Sequence, residues 1–456
     1  MLKILANRTY RHLFGAQIIA LLGTGLATVA LGLMAWQIAG ENAGMVLGTA
    51  FAIKMIAYVI LAPIASAFAD RVPRRAMLVT LDLIRAGVAL ALPFVTEIWQ
   101  IYILIFFLQA ASAGFTPTFQ ATIPDVLPDE EEYTKALSLS RLAYDLESLI
   151  SPMLAVALLS VVSFPVLFYG TVIGFVASAA LVASTTLPTT SVPAPSPPSS
   201  SSQSDPAPSA KLNIWERTTR GIRIYLATPR LRGLLALNLA VASAGAMVIV
   251  NTVVIVQTRF GLEQSAVAWA LAAFGGGSMA GSLILPWLLQ NIPDRTVMIA
   301  GAGLLVVGTA LGPLAGSLAG LAPLWLLIGF GYSLTMTPSG RLLRRSAHAQ
   351  DRPAIFAAQF ALSHVCWLIT YPIAGFFGAR FGLDATFIVL AAIAALGLVA
   401  ATRVWPASES ETLAHKHPDL SPQHPHLREY GIVNHRHAIV VDDLHRNWPR
   451  LSGHIA

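Results

Sequence analysis

Apolar residues run for twenty or more positions, time after time, between residues 12 and 404, and each run stops at a short cluster of charge, proline or glycine. A run of about 20 apolar residues is long enough to cross the hydrocarbon core of a bilayer as a helix. The pattern predicts twelve such helices, at 12–37, 44–68, 76–96, 99–122, 137–160, 164–186, 232–257, 265–289, 297–316, 319–337, 354–378 and 384–404. The runs are continuous, not alternating, and far exceed the ~10 residues of a barrel strand, which excludes a lipid-facing β-barrel. One long polar break, "LPTTSVPAPSPPSSSSQSDPAPSAK", is rich in proline and serine and too poor in apolar side chains to fold. It divides the helices six and six. The expected fold class is therefore all-α integral membrane, with two six-helix bundles (1–186 and 232–404), a flexible linker (187–231) and a polar tail (405–456).

Composition agrees with the pattern: 55% of the 456 residues are hydrophobic and 11% charged, against about 25% charged in a soluble domain. Lysine and arginine collect in alternate loops, at the amino terminus, 69–75, 187–231, 290–296 and 338–353, while the opposite loops hold Arg259, Arg380 and little else. With positive residues inside, both termini face the cytoplasm of a bacterial-type inner membrane. The net charge of +6 then reflects topology, and no nucleic-acid partner is expected. The first run reads as an uncleaved helix, since no small-residue cleavage site follows an h-region of ordinary length. Cys366 is the single cysteine, so no intrachain disulfide can form. There is neither a P-loop nor a nucleophile elbow, so the expectation is a non-enzyme without cofactors.

Six helices per half start both halves on the same side, as parallel copies would. Three matches support copying. "AGFTPTFQATIPD" in the fourth run parallels "GFGYSLTMTPSGR" in the tenth, "LISPM" in the fifth parallels "LITYPIAG" in the eleventh, and Asp70-Arg71 after the second run parallels Asp294-Arg295 after the eighth. The knot "ADRVPRR" packs Asp70, Arg71, Arg74 and Arg75 between two apolar runs. With the six-and-six pattern it resembles the major facilitator superfamily, whose signature there is Gly-x-x-x-Asp-Arg/Lys-x-Gly-Arg/Lys-Arg/Lys. Ser66 and Pro73 stand at the two glycines, while Asp70, Arg71, Arg74 and Arg75 match. The resemblance implies a twelve-helix major facilitator fold and a conformational latch at this knot. Charges there can pair with the opposite half in one state and be released in the other. A plain topology marker would need only Arg71, Arg74 and Arg75, and leaves Asp70 unexplained.

"ADRVPRRAMLVTLDLIRA", "FTPTFQATIPDVLPDEEEYTKALSLSRL" and "GIRIYLATPRLRGLLALNLA" resemble the branch of macrolide efflux proteins and the enterobactin exporter. That resemblance implies cation-coupled export of small molecules. Many relatives carry an acid after a glycine in the first helix, whereas Thr24 follows Gly23 here, so a proton site is expected elsewhere.

A charge near the bilayer centre costs at least ~2.5–3.5 kcal/mol, which makes each one a functional candidate. Asp82 and Arg85, three apart, are expected to pair and to support the knot; Arg141 and Asp145, four apart, can also pair. Glu147 projects about 200° away from Asp145 and has no partner on its own helix. Asp145 and Glu147 are the proton-coupling candidates, with Lys54 as intramembrane counter-ion or anchor for an anionic substrate group; the bland reading is an ion pair that fixes helix packing. His364 stands alone on an apolar helix, where a hydrogen-bonded structural role competes with proton exchange. Gln109 and Asn251 complete the polar set expected around a central cavity. Gly277 and Gly281 permit close helix approach, and Pro63, Pro117, Pro152, Pro338 and Pro372 can kink helices.

The tail holds eight of the eleven histidines. His415, His417, His424, His426, His435, His437 and His445 offer imidazole donors to a divalent metal, and a resemblance to nickel-resistance exporters goes with them. The competing reading is a soluble extension whose "IVVDDLHRNWP" segment docks on the cytoplasmic face. The expected function is a secondary active transporter, a proton-coupled exporter of small molecules. A Ni/Zn/Co exporter assisted by the tail and a non-transporting membrane sensor are the rivals.

Overall fold

A computed structural model describes residues 2–39, 43–68, 72–187, 214–407, 412–415, 427, 435–442, 444, 445 and 448. The first group of helices is α1 (Arg8–Ala39), α2 (Ala43–Ser66), α3 (Arg74–Ala91), α4 (Ile98–Val126), α5 (Glu130–Leu159) and α6 (Pro165–Ala183). After α7 (Ile214–Ala227) come α8 (Pro229–Val253), α9 (Gln264–Asn291), α10 (Asp294–Ala310), α11 (Leu318–Met336), the short α12 (Ser339–Arg345), α13 (Arg352–Pro372), the single turn α14 (Gly378–Phe381) and α15 (Leu383–Val404). α8 and α13 each continue into a π-helical turn, Val254–Arg259 and Ile373–Phe377.

Ten helices among the described residues are long and apolar enough to cross a membrane. α5 and α10 lie where 137–160 and 297–316 are expected but are not among the ten. α5 opens on Glu130, Glu131 and Glu132 and carries Arg141, Asp145 and Glu147, and α10 has 17 residues. The acidic start of α5 is good helix chemistry: three carboxylates sit at the positive end of the helix dipole. The Asp129 side chain caps the same end, accepting from Glu132 N at 2.9 Å.

α1 to α6 pack mainly on one another, as do α8 to α11, α13 and α15; the groups meet where α2 and α4 touch α13 and where α5 touches α9. The tightest seam is α9 on α11, where small residues bring backbones together. A Cβ at Gly277 would overlap Leu326 O, and one at Gly329 would overlap Phe274 O. The segment 187–231 is not all linker, because its end folds as α7, which lies against α13, α2 and α8. Hydropathy misses α7 because charged residues such as Glu216, Arg220 and Arg223 interrupt its apolar ones, of which Ile224 and Tyr225 are buried.

Two tail strands, β1 (Thr412–His415) and β2 (His435–Ala438), pair antiparallel, with Leu413 opposite His437 and His415 opposite His435. Beyond them Ile439 and Val441 are buried, and Val441 and Trp448 join an apolar cluster with Tyr225, Leu231, Ala347 and Trp405. The tail segment thus docks on the second group of helices.

Candidate functional site

Between the two groups lies a cavity of about 910 Å³, walled by α1, α2, α4 and α5 on one side and by α11 and α13 on the other. Lys54, Gln109, Arg141, Glu147 and His364 stand on its wall, and so does Arg85. Glu147 is the only carboxylate on the wall among the described residues.

The wall is built around Tyr58. Lys54, one turn earlier on α2, holds Nζ 5.6 Å from the centre of the Tyr58 ring. The Tyr58 hydroxyl donates to Gln109 Oε1 at 2.8 Å. Its ring meets Phe360 and His364 of α13, both centroids 4.8 Å away, so an aromatic contact joins the two groups at cavity depth. His364 Nδ1 lies 2.6 Å from Phe360 O. A carbonyl only accepts, so Nδ1 carries the hydrogen and the ring is held to its own helix. Lys54 is in electrostatic reach of both Glu147 and His364.

Two expected members are elsewhere. Asp145 is buried off the wall, paired with Arg141 as the i,i+4 spacing predicts. Asn251 faces the interior of the second group, where its amide donates to Ala374 O at 3.0 Å in the π-turn after α13. Burial makes that bond obligatory and takes the side chain away from the cavity. Arg141 itself reaches across: Nε donates to Ser278 Oγ of α9 at 3.0 Å, and the guanidinium lies 4.6 Å from the Tyr332 ring of α11.

Asp82 and Arg85 pair as expected, and their other described partners lie on α4 and α6. Ser178 of α6 donates to Asp82 at 2.7 Å, and Arg85 is sandwiched between Phe115 and Phe175, 4.0 and 4.4 Å from the ring centres. They pin α3 to α4 and α6, because a buried charge needs a full set of partners. Of the knot, Asp70 and Arg71 lie outside the described residues. Arg74 pairs with Asp125 at the end of α4, and Arg75 donates to Thr185 O at 3.3 Å.

The charge network at this basic end is larger than the knot. Asp125 also pairs with Arg352 of α13. Glu130 pairs with Arg341, at 2.5 Å, and with Arg345. Asp294 holds the same two arginines at 3.1 and 2.8 Å. Arg341 donates to Thr134 Oγ1 at 2.8 Å, and Arg344 to Pro128 O. Among the described residues, every ion pair that joins the two groups lies at this end. Sequence reasoning missed these partners. The clue was Asp125 and Asp294 in the two repeat fragments, but the pairings themselves join distant segments.

Next to this network the tail adds a small cluster. His348 Nε2 lies 3.5 Å from Asp442 Oδ2, and His445 Nδ1 lies 3.0 Å from Asp442 Oδ1. The contact with Asp442 lifts His348 above the ordinary histidine value. Burial works to raise Asp442, but hydrogen bonds from both histidines outweigh it and hold the carboxyl well below the usual range. Among the described residues no group of three or more His, Cys, Asp or Glu converges to hold a metal. His445 is engaged with Asp442. His417, His424 and His426 lie outside the described residues, and His415, His435 and His437 are described only through the backbone register of β1 and β2.

Comparison with known proteins gives a context for this geometry. The chain is 27% identical over 152 residues to macrolide efflux protein A of Streptococcus pyogenes, which is 32% of this chain and 37% of that protein. It is 28% identical over 159 residues to the uncharacterized transporter YfiS of Bacillus subtilis, 34% of this chain and 37% of the relative. These matches span little more than a third of the curated relatives, and they lend nothing to the enterobactin-exporter side of the resemblance. Among solved structures the chain is similar in fold to the human organic anion transporter MFSD10, with a TM-score of 0.73 and 12% identity over 87% of this chain and 99% of that one. A bacterial homologue of the iron transporter ferroportin in its outward-facing state gives 0.68 and 14% over the same shares. The family model of the Major Facilitator Superfamily matches residues 13–263 and 233–442, nearly the whole chain. The protein belongs to the Major Facilitator Superfamily.

Proposed function

We propose that this protein is a secondary active transporter that exports small organic molecules in exchange for protons. In this reading α5 and α10 complete twelve spans, and two six-helix bundles, 1–186 and 232–404, rock about the central cavity. Positive residues inside put the basic end and both termini in the cytoplasm of a bacterial-type inner membrane. The observation that carries the reading is a cavity whose one wall carboxylate among the described residues, Glu147, faces Lys54 in reach, while among those residues ion pairs cross between the bundles only at the basic end. Alternating access needs such a site, reachable from one side at a time. The local identity to a macrolide efflux protein supports export.

Exchange follows if proton and substrate compete for Glu147. A substrate amine or other donor group that binds the carboxylate expels its proton to the cavity water, and a proton arriving from outside expels the substrate. Asp145 stays paired with Arg141 and serves the link between bundles. The test is proton release from purified protein in weakly buffered detergent on adding erythromycin, a catecholate siderophore, or Ni, Zn and Co. Release by an organic compound, lost in Glu147→Gln and retained in Asp145→Asn, is the expected outcome. Release only by metals would transfer the function to the tail, and release unaffected by Glu147→Gln would remove the proposed coupling site.

A further inference from the structure

Glu147 does not hang free in the cavity. Its Oε1 lies where α1 has no side chain: a Cβ at Gly25 would stand 2.5 Å from Glu147 Oε1 and would overlap Ser151 Oγ. The absence of a side chain at Gly25 is therefore what lets two oxygens from successive turns of α5 close on the backbone of α1. Gly25 and Ser151 are buried. Ser151 Oγ lies beside the Glu147 carboxyl, and its hydroxyl is a hydrogen-bond donor to it. A buried hydroxyl is costly unless it has such a partner, so the two side chains hold each other in place. Both residues open onto the cavity, so water can reach the pair.

We propose that Gly25 and Ser151 are positioning residues that seat Glu147 as the proton carrier of the transporter, an inference that rests on the exchange reading above. In the seat, the Ser151 hydroxyl donates to one oxygen of the Glu147 carboxylate, and a proton from cavity water binds the other. Release returns the proton to water and restores the carboxylate facing Lys54. The neighbourhood is suited to a single titration. Lys54 enters from α2 and Tyr144 from the preceding turn of α5, while His364 of α13 faces Lys54. Arg141 stands on the same wall more than a turn earlier on α5, its charge matched by Asp145. α9 contributes no titratable side chain, the titratable residues of α1 and α12 lie at the basic end, and those of α4 lie near its ends.

Dicyclohexylcarbodiimide couples to protonated carboxyls in apolar surroundings, so adduct formation on the α5 peptide, followed by mass spectrometry of the full-length protein between pH 5 and 9, reports the protonation of Glu147 without any substrate. Glu147→Gln should remove the adduct. Ser151→Ala takes away the hydroxyl that faces the carboxylate, and should move the half-labelling pH upward by about one unit, a tenfold change in proton affinity. Gly25→Ala fills the seat and should displace the midpoint as well; if that variant does not fold, Ser151→Ala alone decides. Midpoints equal to wild type in folded variants, or no adduct on Glu147 anywhere in the range, overturn the inference. The exchange reading fails separately. A shifted midpoint without pH-driven flux in proteoliposomes keeps the seat and removes exchange, whereas pH-driven flux with unshifted labelling puts the coupling carboxyl elsewhere and overturns the seat.

Discussion

The basic end and the cavity wall hold charge in opposite ways. At the basic end Asp125, Glu130 and Asp294 each bridge two arginines, and Asp125 and Glu130 join the two helix groups. Around the cavity Asp82 with Arg85, Asp145 with Arg141 and Glu147 with Lys54 all stay within the first group. What crosses there is softer: the Tyr58 contact with Phe360 and His364, and Arg141 reaching Ser278 and Tyr332. The difference separates two tasks. In the proposed cycle, crossing ion pairs would hold one conformation closed, while aromatic and hydroxyl contacts at the pivot would permit the groups to move without stranding a charge in hydrocarbon.

The largest break in this contrast should come from Asp125→Asn. Asp125 is nearly buried between Arg74 and Arg352, and losing one partner of a buried pair costs ~3–5 kcal/mol. Closure of the basic end should weaken roughly a hundredfold. Spin labels at positions 132 and 291, in a Cys366→Ser background, should report a longer distance; an unchanged distribution would show that the latch does not depend on Asp125. Arg141→Lys acts at the pivot. Lysine can still pair with Asp145 but loses the planar contact with Tyr332 and the Nε bond to Ser278. Proton-driven exchange in proteoliposomes should fall about tenfold, from ~1.5 kcal/mol of lost contact, with the basic end still closed to the same spin labels.

A smaller effect concerns the docked tail. A histidine whose folded value is raised adds stability in full below its unfolded value near 6.5, and that stability fades as pH rises through the folded value. The depressed Asp442 adds stability above the ordinary carboxylate range, lost only on acidification through its folded value. Docking should therefore be tightest between about pH 4 and 6.5 and loosen above. Amide exchange in 439–448 should quicken severalfold from pH 6 to 8.5, and His348→Ala should flatten that response. The smallest effect belongs to Arg345→Gln. Arg345 and Glu130 are each about two-fifths exposed, where an ion pair contributes ~0–1 kcal/mol, and the buried Asp294 that Arg345 also touches keeps Arg341. The melting temperature should barely move, and the small change should vanish in 1 M salt.

Much of the helix layout is legible in the sequence because bilayer thickness fixes the length and continuity of apolar runs. The i,i+3 and i,i+4 pairs Asp82–Arg85 and Arg141–Asp145 are legible for a similar reason, since helix geometry alone brings them together. Hydropathy starts α5 at 137, while the structure starts it at Glu130, because capping by Asp129 rather than apolarity sets that end. Contacts between distant segments leave no such trace. Asp125 and Arg352 are 227 residues apart, and nothing in their spacing pairs them. Asn251 and Gln109 look alike in sequence, yet only tertiary packing turns Gln109 to the cavity and Asn251 to Ala374. The first helix offers no acid after Gly23, but the structure supplies one from α5, with Glu147 lying against α1 at Gly25.

The doubling of partners at the basic end also bears on how often the transporter can turn over. When the groups separate there, Asp125 keeps Arg74, and Arg341 and Arg345 keep Asp294. Arg352 and Glu130 lose their ionic counterparts, both already touching water, while Arg341 and Arg344 give up hydrogen bonds to Thr134 and Pro128. In the proposed cycle, opening then amounts to hydrating one guanidinium and one carboxylate and replacing two hydrogen bonds by bonds to water. Each lost contact has a replacement already at hand, so under the proposed mechanism a latch rich in charge need not be slow.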